Sequence, residues 1–161
     1  MPQTYIWMHE DALGRHHPVF EAISSESCSA EADGPIRPRV IFIWDKSYFE
    51  AQAYSLKRLT FIYECLIDVQ RDTFEVEIYQ GDTANILREI ITDAGEGAVL
   101  RMADTPNVTF LKIVESLRQD FPVEIIKDTP FIEPPDDVDM TRFFRFWNRS
   151  RRSAFGFKAQ T

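Results

Sequence analysis

The chain has 161 residues, of which 44% are hydrophobic, 27% charged and 13% aromatic, and its formal net charge is −8. This is the composition of a globular domain, which excludes disordered and collagen-like chains, and the two cysteines, Cys28 and Cys65, are too few for a disulfide framework and fit a reduced, cytoplasmic compartment. No apolar run approaches the ~18 residues of a membrane span, the N-terminus lacks the basic start and apolar run of a signal peptide, and the negative charge argues against the whole molecule as a generic nucleic-acid binder.

Strands and helices alternate along the chain. Thr4–Met8 (TYIWM) reads as the first strand and His17–Ser24 as a short helix, with Pro18 tolerated in its first turn. Residues 24–38 are polar, with Gly34, Pro35 and Pro38, and read as loop. Val40–Trp44 (VIFIW) has no polar break, the pattern of a strand buried on both faces. Over residues 55–71, Leu56, Leu59, Tyr63, Leu66 and Ile67 recur at helical spacing and predict a long amphipathic helix with that stripe as its core face. Val76–Tyr79 is the third strand. Gly81-Asp82-Thr83 then opens a helix through Ala94, with Ile86, Leu87, Ile90 and Ile91 on one face and Asp82 or Thr83 as N-cap. Ala98–Met102 is the fourth strand, Asp104-Thr105-Pro106 caps a helix through Asp120, and Val123–Ile126 is the fifth strand. A Pro-rich acidic stretch precedes an aromatic-basic helix from about Asp139 to Ser153. Five strands in alternation with helices give an α/β fold with a doubly wound parallel sheet and helices on both faces. Periodicity leaves the strand order open.

Charge divides the chain. Residues 140–161 carry Arg142, Arg145, Arg149, Arg151, Arg152 and Lys158 and no acid, or +6, which leaves 12 basic and 26 acidic side chains, or −14, in the first 139. The expected organisation is an α/β domain over 1–139 and a basic aromatic helix and tail over 140–161. Phe143, Phe144 and Trp147 fall on one face of that helix with Arg145 and Arg149 opposite, so these five residues are candidates for contact with a partner or with the chain's own sheet domain.

The common α/β signatures are missing. There is no G-x-G-x-x-G after strand one, no G-x-x-x-x-G-K-[ST], no G-x-S-x-G and no C-x-x-C, and six glycines are too few for a backbone phosphate cradle. His9, Glu10, Asp11, His16 and His17 offer nitrogen and oxygen donors in one loop. No helical histidine pair or cysteine supports a metal there, and the plainer reading is a polar loop. Neither Cys28, beside Glu26 and Glu31, nor Cys65, on an apolar helix, has the basic surroundings of a nucleophilic thiol.

Four ordered stretches carry a resemblance. Trp7, Asp11, Leu13 and Pro18 in the first strand and loop, Val40–Asp45 with Lys57-Arg58, Phe61, Glu64 and Leu66 in the following helix, Gly81-Asp82-Thr83-Ala84-Asn85-Ile86-Leu87, and Phe143-Phe144-Arg145-Phe146-Trp147 together resemble the N-terminal α/β domain of the DNA photolyase/cryptochrome family. His9 and Glu10 stand where that family usually has arginines, and Ala103-Asp104-Thr105-Pro106 departs from its folate-type pattern. The resemblance implies a Rossmann-like sheet of order 3-2-1-4-5. It also implies a DNA-repair-related, non-catalytic accessory module without the FAD-binding helical domain, so no FAD site of the photolyase type is expected. The module would hold an antenna-like flavin, deazaflavin or folate or another small planar ligand, or complement a separate FAD-binding helical protein. A homo-oligomer is the other expected assembly.

Ligands of open α/β sheets sit beyond the carboxyl ends of the strands. The candidate ligand residues are therefore His9 and Glu10, Asp45 and Lys46, Gly81 and Asp82, and Asp104 and Thr105. Acidic side chains there favour a planar, weakly charged ligand over ATP. Two other functions stand beside the binding module: a small enzyme acting on a nucleotide-like substrate through His9 with Asp82 or Asp104, and a DNA-associated protein acting through the basic tail, although the acidic remainder opposes nucleic-acid binding by the chain alone.

Overall fold

Alternation of side chains along two central strands sorts the apolar residues into two cores. The computed structural model describes residues 3–20, 39–71, 74–130, 132 and 141–155. Five strands, β1 (Thr4–Met8), β2 (Arg39–Trp44), β3 (Glu75–Gln80), β4 (Val99–Ala103) and β5 (Val123–Ile126), form one sheet of order β3-β2-β1-β4-β5 in which every pair is parallel. Helices α1 (Lys46–Ala51) and α2 (Leu56–Arg71) follow β2, α3 (Thr83–Ala94) follows β3, and α4 (Val108–Leu117) follows β4. The doubly wound sheet and its strand order are as expected.

On one face, Tyr5, Trp7, Ile41, Ile43, Leu100 and Met102 pack against Leu87 and Ile91 of α3 and Phe110, Val114 and Leu117 of α4. On the other, Ile6, Met8, Val40 and Phe42 pack against Phe49 of α1, Ile62, Leu66 and Val69 of α2, and Val19 and Phe20. Neighbouring residues of β1 and β2 therefore serve opposite cores, which is why both strands read as unbroken apolar runs. β3 lies at an edge and carries exposed Glu75, Ile78 and Gln80. Arg39 of β2 forms a two-pronged ion pair with Glu77 of β3, one arm at 2.6 Å, which ties this edge to the centre.

Three local expectations are corrected. Of the expected stripe, Leu66 is buried and Leu59 packs against the core, but Leu56 and Tyr63 are exposed, at 79% and 50%, and Ile62 and Val69 complete the face turned to the sheet, so the buried face is centred about a quarter turn from the expected one. Two apolar stripes lie on this helix, and spacing alone does not tell which one meets the sheet. Helix α1 was not anticipated. Its six residues are too few for a period, and it stops without glycine or proline, at Ala53 in the left-handed region (φ 52°). The N-cap of α4 is Asn107, whose side chain accepts from Thr109 N at 3.0 Å, rather than a residue of Asp104-Thr105-Pro106. Proline holds the residue before it extended, which delays the helix start.

The described residues fall into two units, Met1–Asp128 and Thr129–Thr161. The expected boundary between 139 and 140 lies outside the described residues, as do the expected loop over 24–38 and most of the short helix, of which a helical turn at 18–20 is described. In the second unit, α5 (Phe143–Ala154) stacks Phe143 on Trp147 with centroids 6.2 Å apart, and Trp147 meets Phe155 edge-on. No helix among the described residues is long and apolar enough to cross a membrane.

The orientation of α2 is open to a direct check. Replacing Ile62, which is fully buried, with alanine is expected to cost about 2–5 kcal/mol in urea unfolding at low protein concentration, and Leu56→Ala no more than about 0.5 kcal/mol. Comparable losses from both would place the expected stripe in the core after all.

Candidate functional site

Concave regions open on both sides of β1 at the carboxyl edge of the sheet. The larger, ≈ 540 Å³, lies beyond β2 and β3 and is lined by the starts of α1 and α3 and by the inner face of α4. Asp45 and Lys46, Gly81 and Asp82 line it together, with Tyr48, Gln80, Phe110 and Ile113 as further walls. The strand-to-helix turn that shapes it requires glycine at position 81. Its φ is +149°, and a Cβ there would meet Ile86 Cδ1 at 3.0 Å.

Asp45 organises this cleft. One carboxylate oxygen accepts from Tyr48 N at 3.0 Å and caps α1. The other accepts from both the backbone N–H and the hydroxyl of Thr83 at 3.1 Å, in the first turn of α3. Asp82 caps the same helix through Asn85 N at 2.9 Å. Helix N-termini are natural seats for phosphate. Here two of them converge, and the protein supplies the anion itself.

The smaller region, ≈ 340 Å³, opens near the ends of β1, β4 and β5 and is lined by Asp11, His16, His17, Asp104 and Asp128 among others. The sheet reverses its winding between β1 and β4, where a doubly wound fold usually binds its ligand. Internal hydrogen bonds knit that point together. His9 Nε2 donates to the Ala103 carbonyl at 3.1 Å. Thr105 donates its hydroxyl to Asp11, Asn107 N donates to Thr105 Oγ1 at 3.0 Å, Asn107 Nδ2 donates to the Tyr48 hydroxyl at 2.8 Å, and Tyr48 and Tyr54 both donate to Glu10 Oε1. This chain of contacts runs from Asp11 through Thr105, the α4 N-cap Asn107 and Tyr48 of α1 back to Glu10, so it closes a ring on two neighbouring residues of the loop after β1. Burial, reinforced by Glu10, pushes the Tyr48 phenol far above its usual range, and it stays protonated as a donor.

The expected ligand residues thus divide into three groups. Asp45, Lys46, Gly81 and Asp82 share the larger cleft; Asp104 lines the smaller one; His9, Glu10 and Thr105 are buried and engaged internally. His9 lines neither cleft, and its neighbours are Trp7 and Phe110 rings at 6.0 and 5.2 Å. Sequence reasoning missed Tyr48, Gln80, Phe110 and Ile113. Aromatic residues in the first turn of a helix that follows a strand were the available signal, present at Tyr48 and Phe110. Among the described residues, no group of three or more histidine, cysteine or acidic side chains is arranged to hold a metal ion. Cys28 lies outside the described residues, and burial and nearby Asp68 and Glu64 push the Cys65 thiol upward.

Among solved structures, hypothetical protein MJ0577 aligns with 81% of this chain over 99% of its own length, at 12% sequence identity and a TM-score of 0.46. No family model and no curated protein matches the chain. The resemblance to the photolyase/cryptochrome family is corrected on these findings, and with it the link to DNA repair. The motifs that carried it have local explanations: Gly81 satisfies a positive φ, and Asp82 is a helix cap, needs that unrelated doubly wound sheets share. An antenna-type flavin, deazaflavin or folate and a separate FAD-binding helical half rested on that resemblance and lose their support.

Two predictions follow from this geometry. Asp45→Ala removes acceptors from two helices and is expected to cost about 1–3 kcal/mol in urea unfolding, more than Asp82→Ala, which removes one cap; equal losses would show that the contact to Thr83 contributes nothing. His9 titrates below its ordinary value, chiefly because burial disfavours the charged ring, against the opposing pull of the Ala103 carbonyl, Asp11 and Glu10. Burial lowers His17 as well. A histidine with a depressed folded-state pKa binds protons more readily when unfolded, so its contribution is complete above about pH 6.5 and is lost as pH falls through the folded-state value. The melting temperature should therefore be level near neutrality and fall on acidification, and His9→Gln, which keeps a donor for Ala103, should flatten that fall. An unchanged pH profile in His9→Gln would remove His9 from the account.

Proposed function

We propose that this chain is a non-catalytic binding module for a small, planar, neutral or cationic ligand, held in the cleft beyond β2 and β3. The observation that carries the reading is the Asp45 carboxylate, which already occupies the anion positions at the starts of α1 and α3. A phosphate entering there would meet a fixed negative charge, with Asp82 beside it, instead of open backbone N–H groups. Tyr48, Phe110 and Ile113 offer apolar walls for a flat ring, and Gln80 and Lys46 offer polar groups at the rim. Of the titratable side chains that line the cleft, Asp45 is engaged by the starts of α1 and α3 and the Tyr48 hydroxyl by Glu10 and Asn107, which supports binding over acid–base chemistry.

Adenosine, the planar cation acridine orange and ATP separate the possibilities when titrated by calorimetry. Adenosine or acridine orange is expected to bind more tightly than ATP. Asp82→Asn keeps a good N-cap but removes the charge, and should weaken the cation by about fivefold, the effect of one charge at ~4 Å in water. Low-micromolar ATP binding that Asp82→Asn abolishes would overturn the proposal.

A further inference from the structure

Among the described residues, the outward stripe of α2 is an apolar feature that the packing of the sheet leaves exposed. Leu56 and Tyr63 lie two turns apart on one line, with Thr60 between them and half-buried Ile67 beyond, and Phe61 is 53% exposed on the flank. These residues belong to the stripe that spacing marks as a core face, but only its Leu59 and Leu66 pack against the sheet core, while Leu56 and Tyr63 stay exposed. An apolar line of this length on a helix that already has a packed face is unusual for a surface that meets only water.

The charges beside the stripe say what covers it. On the flank that carries Phe61, Lys57 lies near the N-terminal end, Glu64 near the middle and Asp68 toward the C-terminal end, all exposed. Asp68 also receives Arg71 at 3.4 Å, in a pair with both side chains open to solvent. The flank ends on Arg71, but Lys57 near its start and Asp68 in its second half lie at equal distances from a point near Ile62, so these two opposite charges are complementary about a two-fold axis. When two copies of α2 pack antiparallel about a centre near Ile62, each Lys57 comes level with the Asp68 of the other copy, and corresponding flanks meet. Helix α5 lacks this property. Its charged side chains are all arginines, so an antiparallel pair would set like charges together.

We propose that α2 is a homodimer interface, in which the stripe of Leu56, Tyr63 and Ile67 packs against its two-fold copy and reciprocal Lys57–Asp68 pairs fix the antiparallel register. One helix from each copy makes a small interface, so the dimer forms and dissociates readily with concentration, and salt weakens it through the exposed pairs.

Sedimentation of the full chain over about 1 μM to 1 mM at low salt tests this. A monomer–dimer equilibrium is expected. Lys57→Glu and Asp68→Lys should each weaken it by about tenfold or more, and the double variant, with the two charges exchanged, should return to within about threefold of the parent. All three changes are on exposed side chains, and the double variant exposes any general loss of folding. Tyr63→Ser should also weaken the dimer. A chain that stays monomeric throughout, a dimer indifferent to the single reversals, or one abolished by Phe144→Ser and not by them would overturn the proposal.

Discussion

Asp45 follows β2, and its carboxylate accepts hydrogen bonds from the first turns of two helices that belong to different crossovers. One oxygen ends on α1, which packs on the α2 side of the sheet through Phe49, and the other on α3, which packs on the opposite side. A single side chain thus joins the two layers at the carboxyl edge and fixes the mouth of the cleft between them. Asp45 is half-buried, and withdrawing a charge even partly from water is costly unless donors replace it; here two backbone N–H groups and one hydroxyl do so. The same arrangement determines the electrostatics of the cleft. A fold whose helix starts usually attract phosphate has its own carboxylate built in at that point.

The switch between β1 and β4 tells a related story. Glycine-rich loops leave this position open in dinucleotide-binding sheets. This chain has His9-Glu10-Asp11 there, side-chain hydrogen bonds from Thr105, Tyr48 and Tyr54 converge on the loop, and Asn107 links Thr105 to Tyr48 behind it. Stability is gained at the usual binding position, and the larger opening is displaced toward β2 and β3. Tyr48 serves both regions: its hydroxyl belongs to the internal network and its ring to the wall of the cleft.

Much of the fold was legible because buried parallel strands announce themselves. Val40–Trp44 has no polar residue to place at a surface, and Ile86, Leu87, Ile90 and Ile91 define the sheet-facing side of α3 without ambiguity. α2 was read only in part, Leu59 and Leu66 rightly and Leu56 and Tyr63 wrongly, because its apolar residues occupy two overlapping stripes and only the third dimension selects between them. α1 escaped notice because six residues ending at an alanine leave no periodic trace and no glycine stop. The strand order was correct although the family likeness that supplied it fails, since right-handed crossovers make the same order available to unrelated chains. For the cleft, the general rule about strand ends reached Asp45, Lys46, Gly81 and Asp82. It could not separate them from Asp104 and Thr105, which follow a strand on the other side of β1, and it gave no access to the helix-borne walls at Phe110 and Ile113.

The position of β1 has a consequence for biosynthesis. Of the five strands this one is made first, yet it occupies the centre of the sheet, with β2 and β4 as its two neighbours. Thr4 pairs with Val99, across most of the chain. Until β4 has been made, one edge of an almost wholly apolar strand has no partner, and the core on the α3 side has no Leu100 or Met102 to close it. Closing so long a loop is slow, and the nascent chain meanwhile exposes a template for unwanted strand addition. Translation rate and chaperone access should therefore affect the yield of this protein most while residues between β3 and β4 are being synthesised.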